Sequence, residues 1–417
     1  MPRSFGVVFL AALASWACFA LLAGEALGSH VRCGDVITHD TTLDSDLIDC
    51  PGDGIVIGTD GITLDLNGHT VDGDGGDSCC RAGVTNDPAF AAVPPEPARD
   101  RVTIRNGQIR EFSYGVSLGG TSVLRQLTVS ANRIIGIASY GPDAIVEDNV
   151  AFGNGYGIHL SEHRNGRVAR NLSLGNDSDG IHMDSSAGNQ LIRNTVIGNG
   201  DDGIDVSDGV SLNRIERNLV ARNGHTGIWL YEGAHRNRIE HNRVFGNGLA
   251  EGSFSGGIVV SSGEGNTLAG NRTSMNGGAG GIVLNEGSSA NVIEHNVASA
   301  NRADGIALQP LGEFDLLAGN HIESNRANGN GRDGVSLGAG AVDSLVARNV
   351  ARGNGDDGID VDSPLTTLVG DLASRNGDLG IEAVAGVTDG GANRAMHNGN
   401  PLQCLNVLCR TGGKPGS

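Results

Sequence analysis

Three similar phrases in the middle of the chain place acidic residues or a histidine just before a glycine–isoleucine pair. They read NDSDGI, GDDGI and GHTGI, and their reactive residues are Asp179, Asp201, Asp202 and His225. Two carboxyl groups on one surface suit the cleavage of glycosidic bonds, because one can stay protonated while the other is charged. Stacked like charges would raise some of the carboxyl pKa values. Asp-Gly pairs also make good turns, so a purely structural role is the alternative.

A second group of polar and aromatic residues follows these glycine–isoleucine pairs at alternate positions. If the phrases are strands, alternate side chains face outward, and equivalent positions of successive phrases form columns. The first column contains His159, His182, Asp205 and Trp229, and the second contains Asp184 and Tyr231. An aromatic pair beside hydrogen-bonding groups can stack on sugar rings. We therefore predict a glycan-binding surface formed by Tyr156, His159, His182, Trp229 and Tyr231.

The same columns offer ligands for a metal ion. His159, His182 and Asp205 suit a transition metal, whereas Ca²⁺ prefers oxygen ligands such as those of Asp179, Asp184, Asp202 and Asp205. We expect that no cofactor is required, with Ca²⁺ as the ion that Asp184 and Asp205 could bind. A second acidic phrase, GDDGIDVD (355–362), is more simply interpreted as a solvated acidic face.

These residues belong to a repeat that sets the architecture. Glycine followed by Ile or Val recurs from Gly115 to Gly380, with most steps of 21 to 24 residues and two of 30 and 29. Each period holds three short β-type stretches between Asn- or Gly-bearing turns, without helical periodicity after residue 30. Such strands can coil, each turn pairing in parallel with the next. Recurrent asparagines in the left-handed conformation would stack at the bends: Asn171, Asn194, Asn218, Asn242, Asn271, Asn296, Asn320 and Asn349.

The period Asn-x-Val…Asn-Gly-x-x-Gly-Ile-x-Leu resembles the parallel β-helix repeat family with the pectin-lyase-like fold. That family includes NosD-type periplasmic proteins and alginate epimerases, and the resemblance covers nearly all of residues 33–410. It implies an all-β, right-handed, single-stranded parallel β-helix, a solenoid of roughly fourteen coils with three short strands per coil. Disulfide-fastened caps are expected at both ends, because open ends expose unpaired strand edges.

The order of the three acidic phrases is similar to the catalytic motifs of polygalacturonases. That resemblance implies that Asp179 and Asp202 are the acid and base, that Asp201 is their partner, and that His225 orients them. Polygalacturonases also supply an Arg and a Lys that grip a uronate carboxylate, whereas residues 251–271 contain no basic residue. A neutral glycan, or a uronate bridged by Ca²⁺, is therefore the expected substrate class.

The two ends of the chain differ from its repetitive body. Arg3 precedes the apolar run FGVVFLAALASWACFALLAG, which predicts a signal peptide at 1–28. An uncleaved anchor is the alternative, since the run is about long enough to span a bilayer. We predict an N-terminal cap, first coils and irregular insertion at 29–100, β-helix repeats at 101–390, and a C-terminal cap and tail at 391–417.

Cysteines lie only near the two ends of the mature chain: Cys33, Cys50, Cys79, Cys80, Cys404 and Cys409. In an exported protein they indicate disulfides, for which the pairs Cys33–Cys50 and Cys404–Cys409 are favoured although the sequence does not fix the connectivity. A metal site is the weaker alternative, because no Cys-x-x-Cys pair accompanies them.

Charge limits the classes of partner. The formal net charge is −19, from 29 basic and 48 acidic residues, which argues against nucleic acid. No second long apolar run follows the first, so we expect no membrane span after signal cleavage and a secreted, periplasmic or cell-surface location. The predicted function is binding, and cleavage or modification, of a polysaccharide or cell-surface glycan on the outer face. The alternative is a non-catalytic, metal-associated structural or binding protein; the oligomeric state is not indicated.

Overall fold

The computed structural model describes residues 30–76, 80–86, 98–249, 255–312 and 315–411. Within these residues every regular element is a β-strand, and 43 strands stack into three parallel sheets that run the length of a solenoid of about fourteen turns. The predicted all-β parallel β-helix is confirmed. In the same part of the chain, no helix exists that could cross a membrane. The predicted signal peptide (1–28) lies outside the described residues, as do 77–79 and 87–97 of the predicted insertion.

The strands are numbered in chain order, and each sheet takes one strand from each coil. The first sheet contains β1 (Asp35–Ile37), β4 (Ile55–Ile57), β7 (Ala82–Thr85), β9 (Tyr114–Gly119), β11 (Ile135–Pro142), β14 (Tyr156–Arg164), β17 (Ile181–Asp184), β20 (Ile204–Ser207), β23 (Ile228–Leu230), β26 (Gly256–Ser261), β29 (Gly280–Asn285), β32 (Asp304–Leu308), β35 (Val335–Leu337), β38 (Ile359–Val361) and β41 (Ile381–Ala383).

The second and third sheets are joined near the N-terminal end, because β8 (Val102–Arg110) and β10 (Ser122–Ser130) are long enough to belong to both. The second sheet also contains β2 (Thr41–Thr42), β5 (Thr63–Asp65), β12 (Ile145–Glu147), β15 (Arg167–Ala169), β18 (Gln190–Ile192), β21 (Arg214–Glu216), β24 (Arg238–Glu240), β27 (Thr267–Ala269), β30 (Val292–Glu294), β33 (His321–Glu323), β36 (Leu345–Ala347), β39 (Thr367–Val369) and β42 (Thr388–Asp389). The third also contains β3 (Leu47–Cys50), β6 (Thr70–Gly73), β13 (Val150–Phe152), β16 (Leu172–Leu174), β19 (Thr195–Ile197), β22 (Leu219–Ala221), β25 (Arg243–Phe245), β28 (Arg272–Ser274), β31 (Val297–Ser299), β34 (Arg326–Asn328), β37 (Val350–Arg352), β40 (Leu372–Ser374) and β43 (Arg394–Met396).

The core is a set of aliphatic stacks inside the solenoid. Ile158, Ile181, Ile204 and Ile228 pair in register from coil to coil, and all four are fully buried. Alternate residues must then face outward, since successive side chains of a strand point to opposite sides. Each buried Ile or Leu contributes roughly 1.5–3 kcal/mol, so the register that buries the aliphatic residues also fixes which residues form the outer face.

Each of the three bends carries a buried asparagine ladder, in which one side chain accepts a hydrogen bond from the backbone N–H of its equivalent in the preceding coil. Between the second and third sheets it comprises Asn149, Asn171, Asn194, Asn218, Asn242, Asn271, Asn296, Asn325, Asn349, Asp371 and Asn393. A second ladder, between the third and first sheets, runs from Asn132 to Asn398. The third, between the first and second sheets, contains Asn189, Asn213, Asn237, Asn266, Asn291 and Asn320.

Two details of the predicted ladder are wrong. Asn320 belongs to the third ladder, and Asn325 occupies the place predicted for it. The left-handed residue is the one before the asparagine: Arg170 has φ 56° and Arg193 has φ 57°. The asparagine itself has no positive φ, and its buried side chain bonds to the adjacent coils.

Disulfides close both ends as predicted, between Cys33 and Cys50 and between Cys404 and Cys409. At the C-terminal end, Gln403 Oε1 accepts hydrogen bonds from the backbone N–H of Asn398 at 3.1 Å and from its Nδ2 at 3.0 Å. A glutamine side chain thus takes the place of the asparagine that a further coil would supply.

Candidate functional site

The predicted column of outward residues is present on the first sheet. His159 pairs with His182, His182 with Asp205, and Asp205 with Trp229 on strands β14, β17, β20 and β23. The neighbouring column places Ser161 beside Asp184, and Asp184 beside Ser207. The residues between the two columns are fully buried, so the columns share the outer face; these residues are Leu160, Met183, Val206 and Leu230.

His159 and Asp184 form a direct pair at one end of this face. His159 Nε2 lies 2.7 Å from Asp184 Oδ2, and Ser161 Oγ donates to Asp184 Oδ1 at 2.6 Å. Burial opposes the charge of Asp184, but the hydrogen bonds from His159 and Ser161 outweigh it and lower the pKa of the carboxyl group. Asp184 is therefore a fixed carboxylate held between two coils.

His182 lies between two further carboxylates. Its Nδ1 atom is 3.1 Å from Asp179 Oδ2 and 2.9 Å from Asp205 Oδ2. Burial disfavours the imidazolium, but the hydrogen bonds that the ring donates to Asp179 and Asp205 more than compensate and raise the pKa of His182 to about 10. The other carboxylate oxygen of Asp205, Oδ1, is buried without a hydrogen-bond partner.

His225 and Asp202 form a third histidine–carboxylate pair, one coil further along. His225 Nδ1 lies 3.0 Å from Asp202 Oδ1, which also accepts the backbone N–H of Thr226 at 2.6 Å. Burial, opposed by His225 and aided by the charge of Asp179, raises the pKa of Asp202 to about 6. The hydrogen bond to Asp202 raises the pKa of His225. Asp201 is exposed, 4.0 Å from His225 Nδ1.

The predicted acid and base, Asp179 and Asp202, are only 5% and 2% exposed. Asp179 Oδ1 accepts the backbone N–H of Asp202 at 3.0 Å. The equivalent bond recurs between Asp304 and Asp333 in a distant part of the solenoid. An aspartate before the glycine therefore stabilises the bend in several coils. The histidines that contact these aspartates, His182 and His225, are more exposed than the aspartates themselves. The catalytic roles stay predictions.

Aromatic residues flank the three histidines. The rings of Trp229 and Tyr231 lie 4.8 Å apart at an interplanar angle of 32°, and His225 is 5.8 Å from Trp229. The indole Nε1–H of Trp229 donates to Ser261 Oγ at 3.2 Å, which fixes the ring. Both aromatic residues are partly buried. At the other end of the face, Tyr156 lies 5.6 Å from His182.

Two contributors were not assigned from the sequence. Tyr140 contacts His159 edge-on at 6.1 Å, and Ser161 holds Asp184. Burial, with the nearby charge of Asp184 and Tyr114, raises the pKa of Tyr140 to about 12. Tyr140 and Ser161 both lie in the second outward column, and their position there could have identified them from the sequence.

A second acidic cluster occupies the same sheet nearer the C-terminus. Ligand atoms of Asp357, Asp360 and Glu382 lie within 4.8 Å of one another. Burial raises the pKa of Asp360 to about 7. In contrast to the upstream face, this cluster contains no histidine that would offset the repulsion among its carboxyl groups.

Two family models match the sequence. The model described as periplasmic copper-binding protein (NosD) matches residues 97–250, and the model described as right handed beta helix region matches residues 213–317. Together with the parallel solenoid, these matches support a right-handed β-helix repeat family. The NosD match includes β14, β17, β20 and β23, whereas no curated protein sequence is significantly similar to the chain.

Solved structures of β-helix proteins share this fold at low identity. A double mutant of the periplasmic alginate epimerase AlgG is 16% identical, with 73% of this chain and 75% of that chain covered and a TM-score of 0.51. The A-module of a mannuronan C-5 epimerase from Azotobacter vinelandii is 14% identical, with coverages of 92% and 88% and a TM-score of 0.44. DFA-IIIase from Arthrobacter chlorophenolicus A6 without its lid is 14% identical, with coverages of 78% and 83% and a TM-score of 0.47.

Proposed function

We propose that this β-helix protein binds a polysaccharide along the outer face of β14, β17, β20 and β23, and that the His225–Asp202 pair transfers a proton to or from the bound sugar. One observation carries the proposal: an aromatic platform, Trp229 and Tyr231, lies directly beside a histidine that is hydrogen-bonded to a buried carboxyl group. A sugar ring on the platform would be adjacent to His225.

The platform suits carbohydrate because the C–H faces of a sugar ring pack on aromatic rings while its hydroxyl groups need polar partners. Asp201 and Asp184 supply acceptors on the same face, and His159 and His182 lie between the two aromatic ends. The two outward columns of these four strands contain no lysine or arginine. A neutral glycan, or a uronate bridged by Ca²⁺, therefore fits better than a free polyuronate.

The proton transfer is assigned to His225 because one of its two ring nitrogens is held and the other is available to a ligand. Nδ1 is held by Asp202, and within the described residues no group is hydrogen-bonded to Nε2. Asp202 would orient the ring and stabilise its protonated form, as a carboxylate does for a catalytic histidine. A positioned acid or base of this kind contributes about 10²–10⁴-fold to rate.

Binding is tested by affinity electrophoresis of the full chain in gels containing neutral or uronic polysaccharides, with and without Ca²⁺. Retardation of the wild type by at least one polysaccharide is expected, with about tenfold weaker retention of Trp229→Ala because the stacking surface is lost. Phe152→Ala is the matched control, since Phe152 is an exposed aromatic on the third sheet. Equal retention of Trp229→Ala and wild type would remove the platform from the proposal.

Catalysis is tested on the polysaccharide that binds, by measuring new reducing ends and unsaturated products. We expect His225→Gln to lower the rate at least a hundredfold with little change in binding, because the ring transfers a proton and does not form the platform. Full activity of His225→Gln would assign the chemistry to another group, with Asp179 and Asp202 next to be tested as Asn variants.

A non-catalytic binding protein is the second candidate, and the burial of Asp179 and Asp202 within the bend favours it. The match to a periplasmic copper-binding family over residues 97–250 is consistent with a metal-associated role. Binding without any product in the assay above would select this candidate. For either function we propose a location outside the cytoplasm, supported by the disulfides Cys33–Cys50 and Cys404–Cys409.

A further inference from the structure

We propose that Asp179, His182 and Asp205 form a binding site for one divalent first-row transition-metal ion. His182 lies on β17 and Asp205 on β20, whereas Asp179 lies in the bend just before β17. The proposal does not depend on glycan binding. One ligand atom from each residue lies within 4.8 Å of the other two.

The distances are close to those of a coordination shell. His182 Nδ1 is 2.9 Å from Asp205 Oδ2 and 3.1 Å from Asp179 Oδ2. Ligand atoms bonded to a tetrahedral ion at roughly 2.0–2.1 Å lie about 3.3 Å apart. Binding therefore needs each carboxylate oxygen to move away from His182 Nδ1 by only a few tenths of an ångström.

Asp205 carries the independent observation that points to a ligand. The residue is only 8% exposed, and its Oδ1 atom is buried with no hydrogen-bond partner. A buried carboxylate oxygen without a partner is costly. Asp179 differs, because its Oδ1 already accepts the backbone N–H of Asp202. A cation beside Asp205 would supply the partner that the protein does not.

The local charge also favours a divalent ion. Asp179, Asp184 and Asp205 surround His182, and none of these carboxylates forms an ion pair with Arg or Lys anywhere in the described residues. The metal ion would take the place of the Nδ1 proton of the imidazolium, and that proton would leave to solvent. Asp184, held by His159 and Ser161, would remain as a nearby negative charge.

The donor set selects the class of metal. An imidazole nitrogen with two carboxylate oxygens suits Zn²⁺ or Cu²⁺, whereas Ca²⁺ prefers six to eight oxygen ligands. The cluster of Asp357, Asp360 and Glu382 lacks both the imidazole and a buried oxygen without a partner. It serves as an internal comparison for non-specific binding to acidic groups.

The test is calorimetric titration of the chelator-treated full chain with Zn²⁺ and, separately, Cu²⁺. We expect one tight equivalent, with affinity at least tenfold weaker in Asp205→Asn and at least a hundredfold weaker in His182→Gln. Asp360→Asn, at the equivalent outward position of a later coil, should bind as the wild type does. Asp179 is left unchanged because its carboxylate also holds the bend.

A second measurement locates the ion independently of the variants. Crystals of the wild type soaked in Zn²⁺ should show one anomalous scattering peak among Asp179, His182 and Asp205, and the Cu²⁺-loaded protein should show nitrogen hyperfine coupling in its electron paramagnetic resonance spectrum. Equal affinity of wild type and His182→Gln, where circular dichroism shows both folded, would overturn the proposal. A peak only at other acidic groups would overturn it as well, whatever the result with polysaccharides.

Discussion

Single contacts decide whether a histidine in the interior or on the outer face of the solenoid is charged. His182 and His225 contact carboxylates, and both have raised pKa values. His163 is fully buried between the neutral groups Ser139 and Asn189, and burial lowers its pKa to about 4. A histidine is thus charged on the outer face in one coil and neutral in the core in another.

His163 makes stability sensitive to acid. Its pKa is about 4 in the folded chain against an ordinary value of 6.5, so the unfolded state binds more protons between these values. Stability should therefore fall as the pH is lowered from 6.5 to 4, by up to roughly 3 kcal/mol. We expect His163→Asn to lose this part of the pH dependence when urea unfolding is followed at several pH values.

The comparison uses the difference between wild type and variant, because many carboxyl groups titrate in the same range. His241→Asn, at an exposed histidine, is the control and should follow the wild-type pH profile. Parallel profiles for wild type and His163→Asn would contradict the prediction.

At the scale of elements, the bends hold adjacent coils together as the strands do. Ladder asparagines accept from the preceding coil and donate an Nδ2–H to a backbone carbonyl, as Asn349 does to Ile322 and Asn393 to Leu368. Asp371 occupies this position in one coil, and its Oδ2 atom is buried without a partner. Burial raises the pKa of Asp371 to about 7. One coil therefore contains an acid where its neighbours contain an amide.

We expect Asp371→Asn to stabilise the chain. The amide restores a donor at the position of the oxygen that lacks a partner, and it removes a buried charge, so the free energy of unfolding should rise by about 1–3 kcal/mol. Because the folded pKa of Asp371 is raised, wild-type stability falls as pH increases from 3.8 to about 7. The gain should therefore be larger at pH 8 than at pH 5, measured by denaturant unfolding.

The reverse exchange one coil earlier is the matched control. Asn349→Asp places a carboxylate in an equivalent ladder position and should destabilise the chain by a similar amount. A destabilised Asp371→Asn variant would mean that the carboxylate has a partner that the ladder geometry does not reveal.

The sequence predicted the columns but not their burial. The alternation of side chains along a strand, inside a regular repeat, decides whether each residue faces inward or outward. This allowed the first column to be aligned from the sequence: His159, His182, Asp205 and Trp229. Asn320 was misplaced because a 24-residue step from Asn296 fits the common period, whereas that coil has a 29-residue step to Asn325. The burial of Asp179 and Asp202 depends on the path of the bend, which residue spacing does not describe.

At the scale of the whole molecule, each coil contacts mainly the coils on either side of it. Every sheet pairs strands of adjacent coils in parallel, and the asparagine ladders link adjacent coils at the bends. Stability should then be close to a sum over coils and their interfaces. The outer face from β14 to β23 is one variable surface on an otherwise regular scaffold.

We predict that one complete coil can be removed without loss of the fold. Deleting residues 358–379 joins Asp357 to Gly380 and removes one 22-residue step, so that Asn354 would bond to Asn398 and Asn349 to Asn393. The product should keep its β-sheet circular dichroism spectrum and unfold at a somewhat lower temperature. The control deletes only residues 358–368, which turns inward residues outward and should abolish cooperative unfolding. Similar melting curves for the two deletions would contradict the prediction.

The glutamine at the last coil has a consequence for assembly. A stack of identical coils has no intrinsic length, and an uncapped end presents donors and acceptors that fit the beginning of another stack. Gln403 satisfies the last asparagine from within the chain, and the Cys404–Cys409 loop follows directly. Filament growth by end-to-end addition is thereby opposed. The carboxamide of Gln403 occupies, from within the chain, the ladder position that the first coil of another stack would need.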